Sequence, residues 1–290
     1  MLCFTKKYLS CLLRVDRLAM VVAVVALAAP SSDAGVYPFD QNVTSNVIMG
    51  SGVTNGAFTV NRSSADRIEL GLRAKVRFNA SNQPENTFNS NGDGTYTFEP
   101  GQPAGGGFSF EPNSSSTAKW NFEWSINSDF EGDGVTSPRS LSALTYLLEI
   151  DLDPATDFNP MPGDNYLAFD PINTSYADHA IGDNGTGPGA GVKAADATAY
   201  GDLIASNNLA QNSWNLEFFN DASHPFDANV PGVFDIILTA FDNGAVIAQT
   251  QIQINTNAVP EPASLLAFGG LGLCVCTMGL RRKRRRTLRA

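Results

Sequence analysis

Cysteine is missing from the whole middle of this 290-residue chain: Cys3 and Cys11 stand near one end, Cys274 and Cys276 near the other. That absence tells against a disulfide scaffold, a thiolate zinc site or a cysteine nucleophile between Gly35 and Ala258. Basic charge is as scarce there. Eight Lys and Arg face 26 Asp and Glu, a net of −18 inside a chain whose total is −10. The central region therefore lacks the clustered cations that a phosphate backbone requires, and nucleic acid is not its partner. Histidine occurs twice, at His179 and His224, with no serine elbow or metal-ligand spacing beside either, which argues against a hydrolase triad or a histidine zinc site. No internal repeat of propeller or solenoid period is present. What the chain does have is 43% apolar residues, enough for one sizeable core.

The missing cations are at the two ends. Lys6, Lys7, Arg14 and Arg17 precede an apolar run of 12 residues, Leu18 to Ala29, and Ser32-Asp33-Ala34 then supplies the small side chains that signal peptidase accepts. Twelve residues span about 18 Å as a helix, short of the roughly 30 Å hydrocarbon core, so residues 1–34 are expected to be a secretory signal cleaved between Ala34 and Gly35. At the other end Ala263 to Leu280 is an uncharged stretch of 18 residues, just long enough to cross a bilayer. Arg281, Arg282, Lys283, Arg284, Arg285 and Arg286 follow it at once. Cationic flanks stay on the cytoplasmic side, so this cluster is the inner anchor and the central region lies outside, as the signal peptide independently requires.

Immediately before that helix stands Val259-Pro260-Glu261-Pro262-Ala263-Ser264. A Pro-Glu-Pro motif, a glycine-containing apolar helix (Gly269, Gly270, Gly272, Gly279) and an arginine-rich end, in that order, resemble the PEP-CTERM sorting signal of bacterial surface proteins. The resemblance covers residues 259–290. It implies recognition by exosortase, a membrane-embedded protease-like enzyme of exopolysaccharide-producing bacteria, with Pro260, Glu261 and Pro262 as the residues recognised. The prolines hold the peptide extended and remove backbone donors, which presents Glu261 at the membrane surface. The segments Trp120–Asn127, Leu141–Asp153 and Leu203–Asp221 are similar to extracellular domains that accompany this signal; no activity attaches to that similarity.

Residues 35–258 are expected to form the extracellular domain. Ile68, Leu70, Leu72, Ala74, Val76 and Phe78 alternate with Arg67, Glu69, Arg73, Lys75 and Arg77, one face apolar and one basic, the period of a half-buried antiparallel strand. The same period returns in Trp120, Phe122, Trp124 and Ile126, in Leu144 to Leu152, and in Phe234 to Phe241 followed by Val246 to Ile254 across the turn Asp242-Asn243-Gly244. Shorter strands are predicted over 56–61, 95–99, 108–110, 166–170 and 214–219, and a short helix within Val192 to Ser206. The fold class expected is all-β, an antiparallel β-sandwich of jelly-roll type with one short helix and a C-terminal transmembrane sorting helix.

Two site chemistries are suggested inside the domain. Glu149, Asp151 and Asp153 recur at every second position, so they project from one strand face. Paired carboxylates about 5 to 5.5 Å apart are what a retaining glycosidase uses, although Pro154 ends the strand and alternation alone also accounts for a solvated acidic face. Asp129, Asp133, Asp151, Asp153 and Asp157 sit in the oxygen-rich, glycine-containing segments that calcium favours, while matching no helix-loop-helix calcium loop. Trp120, Trp124, Trp214 and Tyr166 could stack on sugars, but Trp120 and Trp124 share the apolar face of one strand and are expected in the core. Taken together these features suggest an exported, non-enzymatic surface or matrix protein that meets signal peptidase, exosortase, the membrane and exopolysaccharide, with a glycan-binding or glycan-hydrolysing domain built around Glu149 as the alternative.

The sorting signal yields the first test. Glu261→Ala should leave export and insertion intact and block only later processing, so full-length protein should accumulate in the membrane of an exosortase-containing host. Neutralising Arg281 to Arg286 should instead loosen topology, since each charge costs about 2.5 to 3.5 kcal/mol at a bilayer centre. Fractionation of wild type and both variants decides, and wild type that stays membrane-bound at full length would make the helix a plain anchor.

Overall fold

In the computed structural model, residues 38–104, 114–132, 138–154, 165–174 and 176–257 are described. The signal-peptide junction at Ala34 and Gly35, the Pro260, Glu261 and Pro262 motif, the Arg281 to Arg286 cluster, Asp133, Asp157 and the strand expected over 108–110 lie outside them. Among the described residues no helix is long and apolar enough to cross a membrane.

Among the described residues there are ten strands in two five-stranded sheets. Sheet one runs in the order β1 (Thr59–Ser63), β2 (Ile68–Val76), β4 (Trp120–Asn127), β8 (Leu209–Trp214) and β7 (Ala180–Gly182), antiparallel throughout. Sheet two runs β3 (Thr95–Thr97), β10 (Ala245–Asn255), β9 (Val233–Asp242), β5 (Thr145–Asp151) and β6 (Tyr166–Phe169). Its pairs are antiparallel except β3 with β10, which makes this sheet mixed. The expected hairpin is present. Asp242 pairs with Ala245, leaving Asn243 (φ 49°) and Gly244 (φ 82°) as a two-residue turn, and two positive φ values are what Asn-Gly accommodates.

The helix α1 (Ala197–Ser206) is shorter than the span from Val192, because Asp196 caps it by accepting from the Ala199 amide at 2.9 Å. Strand β8 ends at Trp214 and residues Leu216–Phe219 form a 3-10 turn instead of the expected strand; Asn215 accepts from Glu217 N and uses its amide group on Ala118, Trp120 and Asn121. A polar side chain that bonds neighbouring backbone ends a ladder this way.

Between the sheets lies the main core. Trp120, Phe122, Trp124 and Ile126 face Leu148, Ile150, Phe234, Ile236, Leu238 and Ile252, and Trp120 and Trp124 are core residues as their alternation predicts. The opposite face of sheet one departs from expectation. Alternation predicts a half-buried β2, yet its polar face is covered as well: Glu69 is 1% exposed and Arg73 fully buried. The cover is the segment 38–56. Thr44 donates its amide and hydroxyl to Glu69, Gln211 on β8 accepts from Ile48 N at 2.7 Å and donates to Asn46 O at 3.0 Å, and Arg73 donates to Thr54 O and Gly56 O at 2.9 and 2.7 Å. Val43, Val47, Ile48 and Met49 pack there on Phe58, Val60, Ala180 and Leu209 as a second apolar cluster. Chain 187–191 closes against it through Gly189 N to Val47 O and Gly191 N to Ile48 O, both 3.0 Å. A Cβ on Gly191 would lie 2.9 Å from Ile48 O, so this approach requires glycine.

Beneath that cover Glu123 on β4 is held from both sides. Arg73 Nε donates to Oε2 at 2.6 Å, Arg73 Nη2 reaches the same oxygen at 2.6 Å without hydrogen-bond alignment, and Lys75 Nζ lies 2.7 Å from Oε1. Burial pushes the Glu123 carboxyl up, and the two cations more than offset this and hold it below its ordinary range. Removing one partner of a buried pair costs about 3 to 5 kcal/mol, whereas an apolar replacement of the whole set is often neutral. Arg73→Met should therefore destabilise by that amount in urea unfolding, and completing the apolar replacement with Glu123→Leu and Lys75→Met should recover much of the loss; a single variant as stable as wild type would show that the charges are not coupled.

Candidate functional site

Above Glu123 the covering segment stops short, and a cavity of about 710 Å³ remains over the outer face of sheet one. Strand register sets its floor. Lys75 on β2 is opposite Asn121 on β4, Glu123 is opposite Ser213 on β8, and Arg77 follows the end of β2. Asn121 donates to Ser213 Oγ at 3.1 Å and accepts from the Asn215 amide at 3.0 Å, so its orientation is fixed by two neighbours. The loop 49–53 forms one wall, tied to the rim by Asn86, which donates to Gly52 O at 2.9 Å. Trp214 and Phe218 also line it, Trp214 packing on Phe122 and Phe169 of the core and Phe218 being 49% exposed.

The remaining rim is Asp178 and Lys193, a 3.4 Å pair with both side chains largely in solvent. Burial raises the Asp178 carboxyl, but the Asn212 amide at 3.1 Å and Lys193 outweigh it and leave the group lowered. Asn212 also joins the rim to a buried histidine. His179 is 1% exposed, its Nε2 lies 2.6 Å from Pro171 O and its Nδ1 lies 3.0 Å from Asn212 Nδ2. A carbonyl only accepts, so Nε2 carries the proton and Nδ1 accepts from Asn212. The ring also stands edge-on to Trp124 with centroids 4.8 Å apart.

The residues singled out by sequence stand elsewhere. Glu149 points from the outer face of sheet two, on the far side of the sandwich from the cavity, and accepts the Tyr166 hydroxyl. Asp151, the last residue of β5, turns Oδ1 onto the backbone N of Asp153 at 2.9 Å, and Asp153 lies beyond the strand. Asp129 is paired with Arg67 at 2.8 Å and accepts from Arg139 N at 2.9 Å. A guanidinium there opposes a divalent cation on the same carboxylate. Among the described residues no three His, Cys, Asp or Glu side chains are arranged to hold a metal ion. Of the aromatic candidates, Trp214 lines the cavity.

Lys75, Arg77, Asn121, Glu123 and Phe218 were not visible as a site in sequence. The signal that could have found them is concentration: of eight basic residues in the central region, Arg73, Lys75 and Arg77 fall at alternate positions of one segment.

The histidine supplies a pH test with a definite sign. Burial depresses its pKa to about 4, partly opposed by the Pro171 carbonyl and Asp178. In the unfolded chain it protonates near 6.5. Between these values the unfolded state binds more protons, so the contribution is intact above about pH 6.5 and is lost as pH falls toward 4. Urea unfolding at pH 7 and pH 4 should show wild type losing about 3 kcal/mol more than His179→Gln over that interval. Equal losses would place the acid sensitivity in other groups. No family model, no curated protein and no solved structure matches the chain.

Proposed function

We propose that this chain is an exported, exosortase-sorted surface or extracellular-matrix protein that binds saccharide without cleaving it, and that its partner is exopolysaccharide. The observation that carries the binding half is the cavity over sheet one, a concavity with a fixed polar floor and an exposed aromatic flank, the composition of a small-ligand site. The strand arrangement, two five-stranded sheets enclosing one core, is read as jelly-roll-like, an architecture also used by lectins. The export half rests on the signal peptide, the Pro260, Glu261 and Pro262 motif, the apolar stretch and the arginine cluster.

Catalysis by acid and base finds less support. A general acid must hold a proton near neutral pH, and Glu123, the carboxylate on the cavity floor, is held ionised between two cations. A glycan array probed with the full chain, with and without calcium chelator, should register saccharide binding that survives chelation, and the bound glycans should release no new reducing ends. A blank array removes the binding reading, and cleavage of a bound glycan replaces it with the hydrolase alternative.

A further inference from the structure

We infer that the cavity takes a carboxylate-bearing saccharide, a uronic acid unit, and that the Arg77 guanidinium is the group that grips its carboxylate. This rests on the saccharide-binding reading above and names the ligand's chemistry within it. Arg77 lines the cavity half-buried, and among the described residues its guanidinium makes no hydrogen bond and no ion pair within 4 Å; its contact is the Phe78 ring at 4.9 Å. Neighbouring positive groups are already engaged: Lys75 with Glu123 at 2.7 Å and Lys193 with Asp178 at 3.4 Å. The five N–H donors of Arg77 are thus the floor's unused recognition capacity. A half-buried charged group without acceptors is unfavourable, and a planar carboxylate answers it with two parallel bonds that a hydroxyl or a spherical anion does not reproduce.

Local charge does not oppose an anion. Glu217 and Glu123 act on Arg77 through space, and the cavity lining holds Lys75, Arg77 and Lys193 with Glu85, Glu123 and Asp178, three charges of each sign. That local balance lies in a central region whose net is −18. Glu85 at the rim is engaged by the Asn79 amide at 3.1 Å. Long-range steering by the whole domain would repel an anion, so short-range pairing inside the cavity has to carry the affinity. The sugar character comes from the aromatic part of the lining. Phe218 presents 49% of its surface beside Trp214, and an exposed ring next to polar donors is a platform for the C–H face of a pyranose.

The test uses the full chain with polygalacturonate fragments as probe and the same fragments methyl-esterified, which keeps the sugar shape and removes the charge. Calorimetric titration should show the acid form binding about tenfold or more tightly than the ester. Arg77→Gln should remove that preference and leave both forms at the ester's level. Arg77→Lys should restore only part of it, because charge returns without the fork. Phe218→Ala, at an exposed position, should weaken both forms alike. Equal binding of acid and ester by wild type overturns the inference without any variant having to fold, and so does Arg77→Gln with undiminished preference; in either case the saccharide reading stands. If neither form binds while other glycans on the array do, the uronic acid assignment fails alone. A blank array removes the underlying reading as well.

Discussion

Glu123 between Arg73 and Lys75 is the constraint around which the rest of the molecule is arranged. Three charges on one sheet face are tolerable in solvent, but here they are buried, and burial of ions is costly unless every one is paired. The chain meets that condition by laying residues 38–56 across the face. The Arg73 guanidinium then gains the carbonyls of Thr54 and Gly56, and the rings of Phe58 and Phe88 stand over it at 4.1 and 4.4 Å. Because that cover ends near Lys75, the same arrangement leaves a concavity whose floor is polar and rigid. The site is a by-product of how far the cover extends.

Sheet one therefore has two different interiors. Its inner face is aromatic and aliphatic, held by Trp120, Phe122, Trp124 and Ile126. Its outer face mixes an apolar cluster around Val43, Ile48 and Phe58 with paired charges and amides. His179 couples the two: its ring packs on Trp124 from the core, and its Nδ1 orients Asn212 at the rim. Acid that protonates this ring would remove its acceptor for the Asn212 amide, so core protonation and rim geometry are linked through one hydrogen bond.

Much of the sandwich was legible because alternation is a local property. The Ile68 to Val76 run, the Trp120 to Ile126 run and the Asp242-Asn243-Gly244 turn each declare themselves within a few residues. The short strands were less so. Three residues of β7 carry no period, and the end of β8 depends on Asn215 reaching back to Ala118 and Trp120, contacts spanning 97 and 95 positions. The candidate site was illegible for a related reason. Alternation reports which residues leave the shared core, and it is silent on whether a distant segment returns to cover them; Glu123 and Arg73 look like surface residues until residues 38–56 are in place. Carboxylates that appeared notable in sequence, Glu149, Asp151 and Asp129, find local partners in Tyr166, the Asp153 amide and Arg67.

That contrast also bears on what a carboxylate-rich chain can do with its charge. Asp93, Asp183 and Asp221 cap turns by accepting from backbone amides two or three residues on. Such groups make the exterior anionic and keep like molecules apart. Inside the cavity the excess of acid disappears: Lys75, Arg77 and Lys193 stand with Glu85, Glu123 and Asp178. An anionic group entering the cavity therefore leaves a repelling exterior for a balanced lining that holds one guanidinium without a carboxylate partner among the described residues.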